Sequence, residues 1–162
     1  MLWYVDSSAL VKRYAPEFGS AWIKSLLEPR AENSIYIVQI GAVEVAAGLS
    51  RKGRTKELAQ KEYAAALELF MRDIKAEEYN LVPIDSALTN LAIELTRRHP
   101  LRGYDAVHLA AALRLNQVLA QNEFPSASFV SADRLLCQAA AKEGLSAENP
   151  DDHESSESLK RG

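Results

Sequence analysis

Four short, mostly apolar runs stand out along the chain: Leu2–Val5, Ile35–Val38, Leu81–Pro83 and Ser128–Val130. Each is too short for a helix and has the length of a buried strand of a parallel sheet. The segments between them carry a helical period. Leu88, Leu91, Ala92 and Leu95 repeat at i, i+3, i+4 and i+7, and Ala106, Leu109, Ala110 and Leu113 do the same. From Lys56 to about Tyr79 the chain is rich in Ala, Leu, Glu and Lys, with Leu67, Phe70 and Ile74 on one stripe. Strands alternating with helices predict an α/β fold: a central, mainly parallel sheet of four to five strands flanked by helices, with a weak fifth strand at Leu145–Glu148. In such sheets the functional crevice lies beyond the carboxyl ends of the strands. Asp6 directly follows the first run, and Asp133 follows the fourth after only Ser131 and Ala132.

The 162 residues suit one domain with a core of its own. From Pro150 onward, PDDHESSESLKRG is nearly free of apolar residues, so residues 1–150 are expected to form the domain and 151–162 a flexible polar tail. The single cysteine, Cys137, excludes an intrachain disulfide, and no Cys/His cluster has zinc spacing; a reducing, cytoplasmic setting is expected. Asp6 cuts the apolar N-terminus after five residues, too soon for a signal-peptide core, and no run approaches the roughly 18 apolar residues of a membrane span. The net charge of −3 argues against bulk electrostatic capture of nucleic acid but not against a local basic rim. Lys12, Arg13, Arg51, Lys52, Arg54, Lys56, Arg97, Arg98 and Arg102 are candidates for such a rim.

Four acids are set in unusually apolar surroundings. Asp6, in VDSSALVK, can cap the helix that follows it or serve a site, and Ser7 and Ser8 can hold its carboxylate. Glu44, in QIGAVEVAAGL, is flanked by apolar residues and needs either an exposed helix face or a partner. Asp105 opens the apolar helix of GYDAVHLAAAL, where an acid also complements the helix dipole. Asp133, in FVSADRLLCQAA, has the same capping alternative, and its neighbour Arg134 can pair locally or meet a phosphate. His108, one turn after Asp105, is expected to be a packed or hydrogen-bonded structural residue rather than a metal ligand.

Taken together, Val5 to Lys12, Glu44 in its apolar helix, Tyr104 to Ala112 and Phe129 to Leu136 resemble the PIN-domain family, especially the small VapC-like ribonuclease toxins of prokaryotic toxin–antitoxin pairs. The likeness runs from residue 2 to about residue 148, with Ser131 where the family often has Thr. It implies a PIN-like three-layer fold. It also implies that Asp6, Glu44, Asp105 and Asp133 are the catalytic acids around Mg²⁺ or Mn²⁺, with Ser8 and Ser131 supporting them. The implied reaction is endonucleolytic RNA cleavage leaving a 5′-phosphate and a 3′-hydroxyl. The implied partners are a cognate antitoxin protein and a second copy of the chain joined through helices; no membrane is involved.

The chemistry agrees with the residue types. Phosphodiester hydrolysis needs an activated water and compensation for a highly charged transition state, and hard cations bound to carboxylates supply both. Rival readings fit less well. A haloacid-dehalogenase-like phosphatase carries a second Asp two residues after the first, where this chain has Ser8, and a response-regulator receiver carries an acidic pair where Asp6 stands alone. A purely helical structural protein does not account for the strand runs. A non-catalytic PIN-like module that binds nucleic acid or protein remains the alternative, although such modules lose acids that are all present here.

Overall fold

The computed structural model describes residues 1–28 and 31–156. Five strands, β1 (Leu2–Val5), β2 (Ser34–Val38), β3 (Asn80–Val82), β4 (Ser128–Val130) and β5 (Ala147–Glu148), form one sheet in the order β3-β2-β1-β4-β5. Every pairing is parallel, with Trp3 opposite Ile35 on one side and Ser128 on the other. The chain moves outward from β1 to β2 and β3, then returns to place β4 and β5 on the other side. The end of β1 is therefore a topological switch point, where parallel sheets open a crevice.

Alternation along the strands divides the core into two layers. Tyr4, Val38 and Phe129 face one side and pack with α5 (Ser86–Arg98), α6 (Gly103–Gln121) and α7 (Arg134–Lys142). Val5, Ile35, Ile37 and Val130 face the other and pack with α1 (Ser7–Tyr14), α2 (Ser20–Leu26), α3 (Gln39–Arg54) and α4 (Gln60–Lys75). This is the expected three-layer α/β arrangement. Tyr4 and Phe129 stack across neighbouring strands at 5.6 Å and 8°. Beneath α1, the buried Asp73 accepts from the Tyr14 hydroxyl at 2.9 Å and pairs with Arg13 at 3.3 Å, so its charge is compensated inside the second layer. Among the described residues no helix is long and apolar enough to cross a membrane.

Beyond shifts of one or two residues at strand ends, two boundaries differ from the sequence expectation. The helix expected from Lys56 to about Tyr79 spans only Gln60–Lys75. It ends in a Schellman turn: Glu77 adopts φ 56°, its N–H donates to Ile74 O at 3.1 Å, and Glu78 N–H donates to Asp73 O at 3.1 Å. The helix α6 ends in the same way with Glu123 at φ 60°, whereas α7 uses Gly144. The second difference is the expected flexible tail, which starts with an ordered 3-10 turn, Pro150–Ser156. Asp151 Oδ1 lies 3.0 Å from the buried Lys12 ammonium, a charge contact without hydrogen-bond alignment. Asp152 pairs with Arg134 at 2.7 Å, and His153 stacks on Trp22 at 4.1 Å. Asp151 and Asp152 are polar, and each meets a charge far along the chain. Residues 157–162 of the expected tail lie outside the described residues.

Two measurements follow from these endings. Glu77→Gly should raise stability by about 1 kcal/mol, because glycine removes the steric cost of the left-handed position; urea denaturation of the two proteins reads it, and an unchanged midpoint would mean that Glu77 is unstrained. Truncation after Asn149 should destabilise the domain by about 1 kcal/mol, because the buried Lys12 loses one counter-charge while keeping Glu17 and the Phe18 carbonyl. A melting temperature equal to that of the full chain would show that the 3-10 turn adds nothing.

Candidate active site

The end of β1 delivers Asp6 to the switch point, where it is 3% exposed. A buried carboxylate must be hydrogen-bonded, and this one is held from both sides. Its Oδ1 accepts from the Ala9 N–H at 2.9 Å and from the Ser8 hydroxyl at 2.7 Å; its Oδ2 accepts from the Ser131 hydroxyl at 2.8 Å. Asp6 is thus the N-cap of α1 as well as a site acid. Ser8 and Ser131 join the ends of β1 and β4: Ser8 Oγ also accepts from the Ala132 N–H at 3.0 Å, and Ser131 Oγ accepts from the Asp133 N–H at 3.0 Å. Burial pushes the Asp6 carboxyl above its usual range. The nearby His108, the Ala9 N–H and the two serine hydroxyls oppose this without cancelling it.

Glu44 reaches the same place from α3. Its partner is His108, not an arginine: Nε2 lies 2.7 Å from Oε2 of Glu44, and Nδ1 lies 3.0 Å from the Tyr4 hydroxyl. His108 is 1% exposed, the packed and hydrogen-bonded state expected of it. Burial, then the Asp6 charge, keeps Tyr4 protonated, so its O–H can donate to Nδ1 and leave Nε2–H facing Glu44. Gly41 makes the close approach possible, because a Cβ there would meet His108 Cε1 at 3.3 Å. Asp105 lies in the first turn of α6, three residues before His108 and so on the same helix face. Its carboxyl is raised by partial burial first and by the Asp133 charge next; the Arg102 backbone N–H and His108 pull the other way, while Asp6 adds to the rise. Asp133 caps α7, with Oδ1 accepting from Leu135 N–H at 2.8 Å and Leu136 N–H at 3.2 Å.

All four acids line one open cleft of about 690 Å³. Its donors are carboxylates and hydroxyls, a set that suits a hard cation. Among the described residues no three His, Cys, Asp or Glu side chains already form a set that could hold a metal ion. Burial pushes the Cys137 thiol up to about 11, which disfavours the thiolate. Of the nine bases considered for a rim, Lys12, Arg51, Lys52, Arg54 and Arg102 line the cleft. Arg13 is turned to Asp73 and the Leu27 carbonyl, and Arg97 and Arg98 pair with Glu94 and Glu143. Arg134 pairs neither with a sequence neighbour nor within the cleft but with Asp152, 18 residues further along the chain. The Tyr4–His108–Glu44 chain was not foreseen. Its only trace in the sequence was the i, i+3 spacing of Asp105 and His108 and a glycine one turn before Glu44.

Comparison with known proteins agrees with this fold. Ribonuclease VapC45 and ribonuclease VapC49, both of Mycobacterium tuberculosis, are each 35% identical to this chain over 110 residues, covering 68% of it and 74% of the relative. The crystal structure of PAE2754 from Pyrobaculum aerophilum shares the fold, with a TM-score of 0.58 and 16% identity over 91% of this chain and 83% of that one. So does a chain of VapBC2 from Rickettsia felis, solved bound to a promoter DNA fragment, at a TM-score of 0.57 and 16% identity over 92% of this chain and 98% of that one. The family model for the PIN domain matches residues 3–142, from the start of β1 to the end of α7, and the chain belongs to the PIN-domain family.

Proposed function

We propose that this chain is a Mg²⁺- or Mn²⁺-dependent endoribonuclease, the toxin of a type II toxin–antitoxin system acting in the cytoplasm. The observation that carries the reading is the meeting of Asp6, Glu44, Asp105 and Asp133, from four separate elements, in one cleft at the switch point of the sheet. Relatives named as ribonucleases support the substrate class.

The residues present fit a hard divalent cation. Asp105, raised by partial burial and then by the Asp133 charge, and Asp6, with both oxygens already oriented, would hold it. Glu44 and Asp133 would act directly or through water. A set of one or two direct carboxylates completed by water is the usual Mg²⁺ arrangement, so a closed protein cage is not required. When bound, the cation supplies positive charge for the crowded phosphorus and activates the attacking water. The chain's own part is positional. Ser8 and Ser131 fix the Asp6 carboxylate, and His108 fixes Glu44. The water oxygen bonds to phosphorus, the bond to O3′ breaks, and O3′ takes a proton, leaving a 5′-phosphate and a 3′-hydroxyl. A small antitoxin protein would cover the cleft, and the active form would be a homodimer.

Asp6→Asn and Asp105→Asn keep the side-chain volume while removing a charge. Cleavage of a mixed RNA pool should fall by orders of magnitude in each, with stability held within about 1 kcal/mol; in Asp6→Asn the amide oxygen keeps the Ala9 and Ser8 bonds and the amide NH2 donates to Ser131 Oγ, reversing that bond. Independently of activity, added Mn²⁺ should raise the melting temperature of the metal-stripped parent, as a ligand of the native state does, but not that of Asp105→Asn. If Asp6→Asn cuts RNA as fast as the parent, the nuclease reading is wrong and the non-catalytic binding module replaces it.

A further inference from the structure

The cations along the cleft fall into two groups. Lys12 and Lys52 are buried and spent on internal contacts. The Lys12 ammonium donates to the Phe18 carbonyl at 2.7 Å and faces Asp151 at 3.0 Å and Glu17 at 3.5 Å. Lys52 pairs with Glu57 at 2.9 Å and with Glu17. Neither is available to a ligand without breaking a buried pair. Arg51, Arg54 and Arg102 line the same cleft, are exposed, and make no ion pair or side-chain hydrogen bond among the described residues. They come from two elements, the last turn of α3 and the residue that precedes α6.

Tyr104 stands beside them. It lines the cleft next to Asp105 and is 59% exposed, and neither its ring nor its hydroxyl has a partner among the described residues. The other tyrosines that close on the site's framework behave differently: Tyr4, Tyr14 and Tyr79 are buried and hydrogen-bonded. An uncovered aromatic face at the rim of an acidic cleft, with unpaired guanidinium groups near it, has the two parts of a single-strand binding track: a stacking surface for a base and planar cations for phosphates.

Resting on the ribonuclease reading, we propose that Tyr104 stacks on one nucleobase of an unpaired RNA strand and that Arg51, Arg54 and Arg102 hold the flanking phosphates. A base in a duplex hides its faces, so this arrangement selects splayed or single-stranded nucleotides over A-form helix. Tyr104 positions the strand so that one phosphodiester lies over the acids. It takes no part in bond breaking, so its loss acts on KM and leaves kcat nearly unchanged.

The test uses the full chain and a short, unstructured, fluorescein-labelled RNA, with a series of the same RNA carrying one abasic position at a time. Binding is read in the Asp6→Asn background, where the RNA stays intact, and cleavage in the parent. Tyr104→Ala should weaken binding and raise KM by about 5- to 100-fold, while Tyr104→Phe stays close to the parent. At one abasic position the unsubstituted-Tyr104 protein should lose the same factor, and Tyr104→Ala should lose nothing more. Arg51→Ala, Arg54→Ala and Arg102→Ala should each reduce the salt dependence of binding by about one phosphate contact. Arg97→Ala, whose side chain pairs with Glu94 outside the cleft, should leave that dependence unchanged. Losses from Tyr104→Ala and abasic substitution that simply add at every position would overturn the stacking platform, and an unaltered salt slope in all three arginine variants would overturn the phosphate track. If the parent binds the RNA in this pattern but never cuts it, the nuclease reading fails and the track stands. If the parent cuts it and Tyr104→Ala matches the parent, the track fails and the nuclease reading stands.

Discussion

The structure turns on one buried carboxylate. Asp6 leaves the central strand at 3% exposure, and burying a charge there is tolerable only because donors converge on both of its oxygens. Those donors come from two turns far apart in sequence, one after β1 and one after β4. The same hydroxyls that hold Asp6 accept the backbone N–H groups of Ala132 and Asp133. Charge placement and strand-end geometry are therefore a single problem with a single solution. The second turn could not move without stripping Asp6 of a donor, and the position of Asp133 follows from it.

This coupling also removes an apparent choice. An acid after a strand and before a helix can be read as a cap or as a site residue, and Asp6 and Asp133 are caps by their hydrogen bonds. Capping occupies only part of an aspartate's acceptor capacity, since each oxygen has two lone pairs. It also fixes the rotamer. A capping aspartate at the carboxyl edge of a parallel sheet is thus held in one orientation, and in the proposed nuclease that local structural role prepares it to face a cation.

Much of this was legible because strand burial and helix periodicity are local signals. The runs at β1 and β4 coincide with the observed strands, and β2 and β3 differ by one residue at their ends. The four acids stood out because each interrupts or borders apolar sequence. What could not be read was set by partners distant in the chain. The Glu44–His108 bond spans 64 positions, and nothing near Glu44 announces a histidine. Lys12 and Asp151 lie almost at opposite ends of the described chain, so each looked like an ordinary surface charge. Helix ends failed for a different reason. Glycine normally marks the left-handed residue after a helix, but Glu77 and Glu123 occupy it here, and the usual stop signal is missing.

The same long-range pairing decides what net charge can say about the cleft. A chain with an excess of acids should repel a polyanion, yet the overall count treats every cation alike. Lys12 and Lys52 are neutralised from within by Glu17, Glu57 and Asp151, so they contribute to the framework of the cleft rather than to its outward field. The chemistry of the side chains makes that division reasonable. A lysine's compact, strongly hydrated charge recovers its lost hydration by collecting several oxygens, as Lys12 does with a carbonyl and two carboxylates. An arginine's more weakly hydrated, planar group keeps its geometry at an exposed rim and presents paired donors to whatever arrives. Which bases meet a ligand is therefore set by which ones the fold has already spent, and that accounting runs through the 3-10 turn after β5. The end of the described chain belongs to the electrostatics of the site although it contributes none of the four acids.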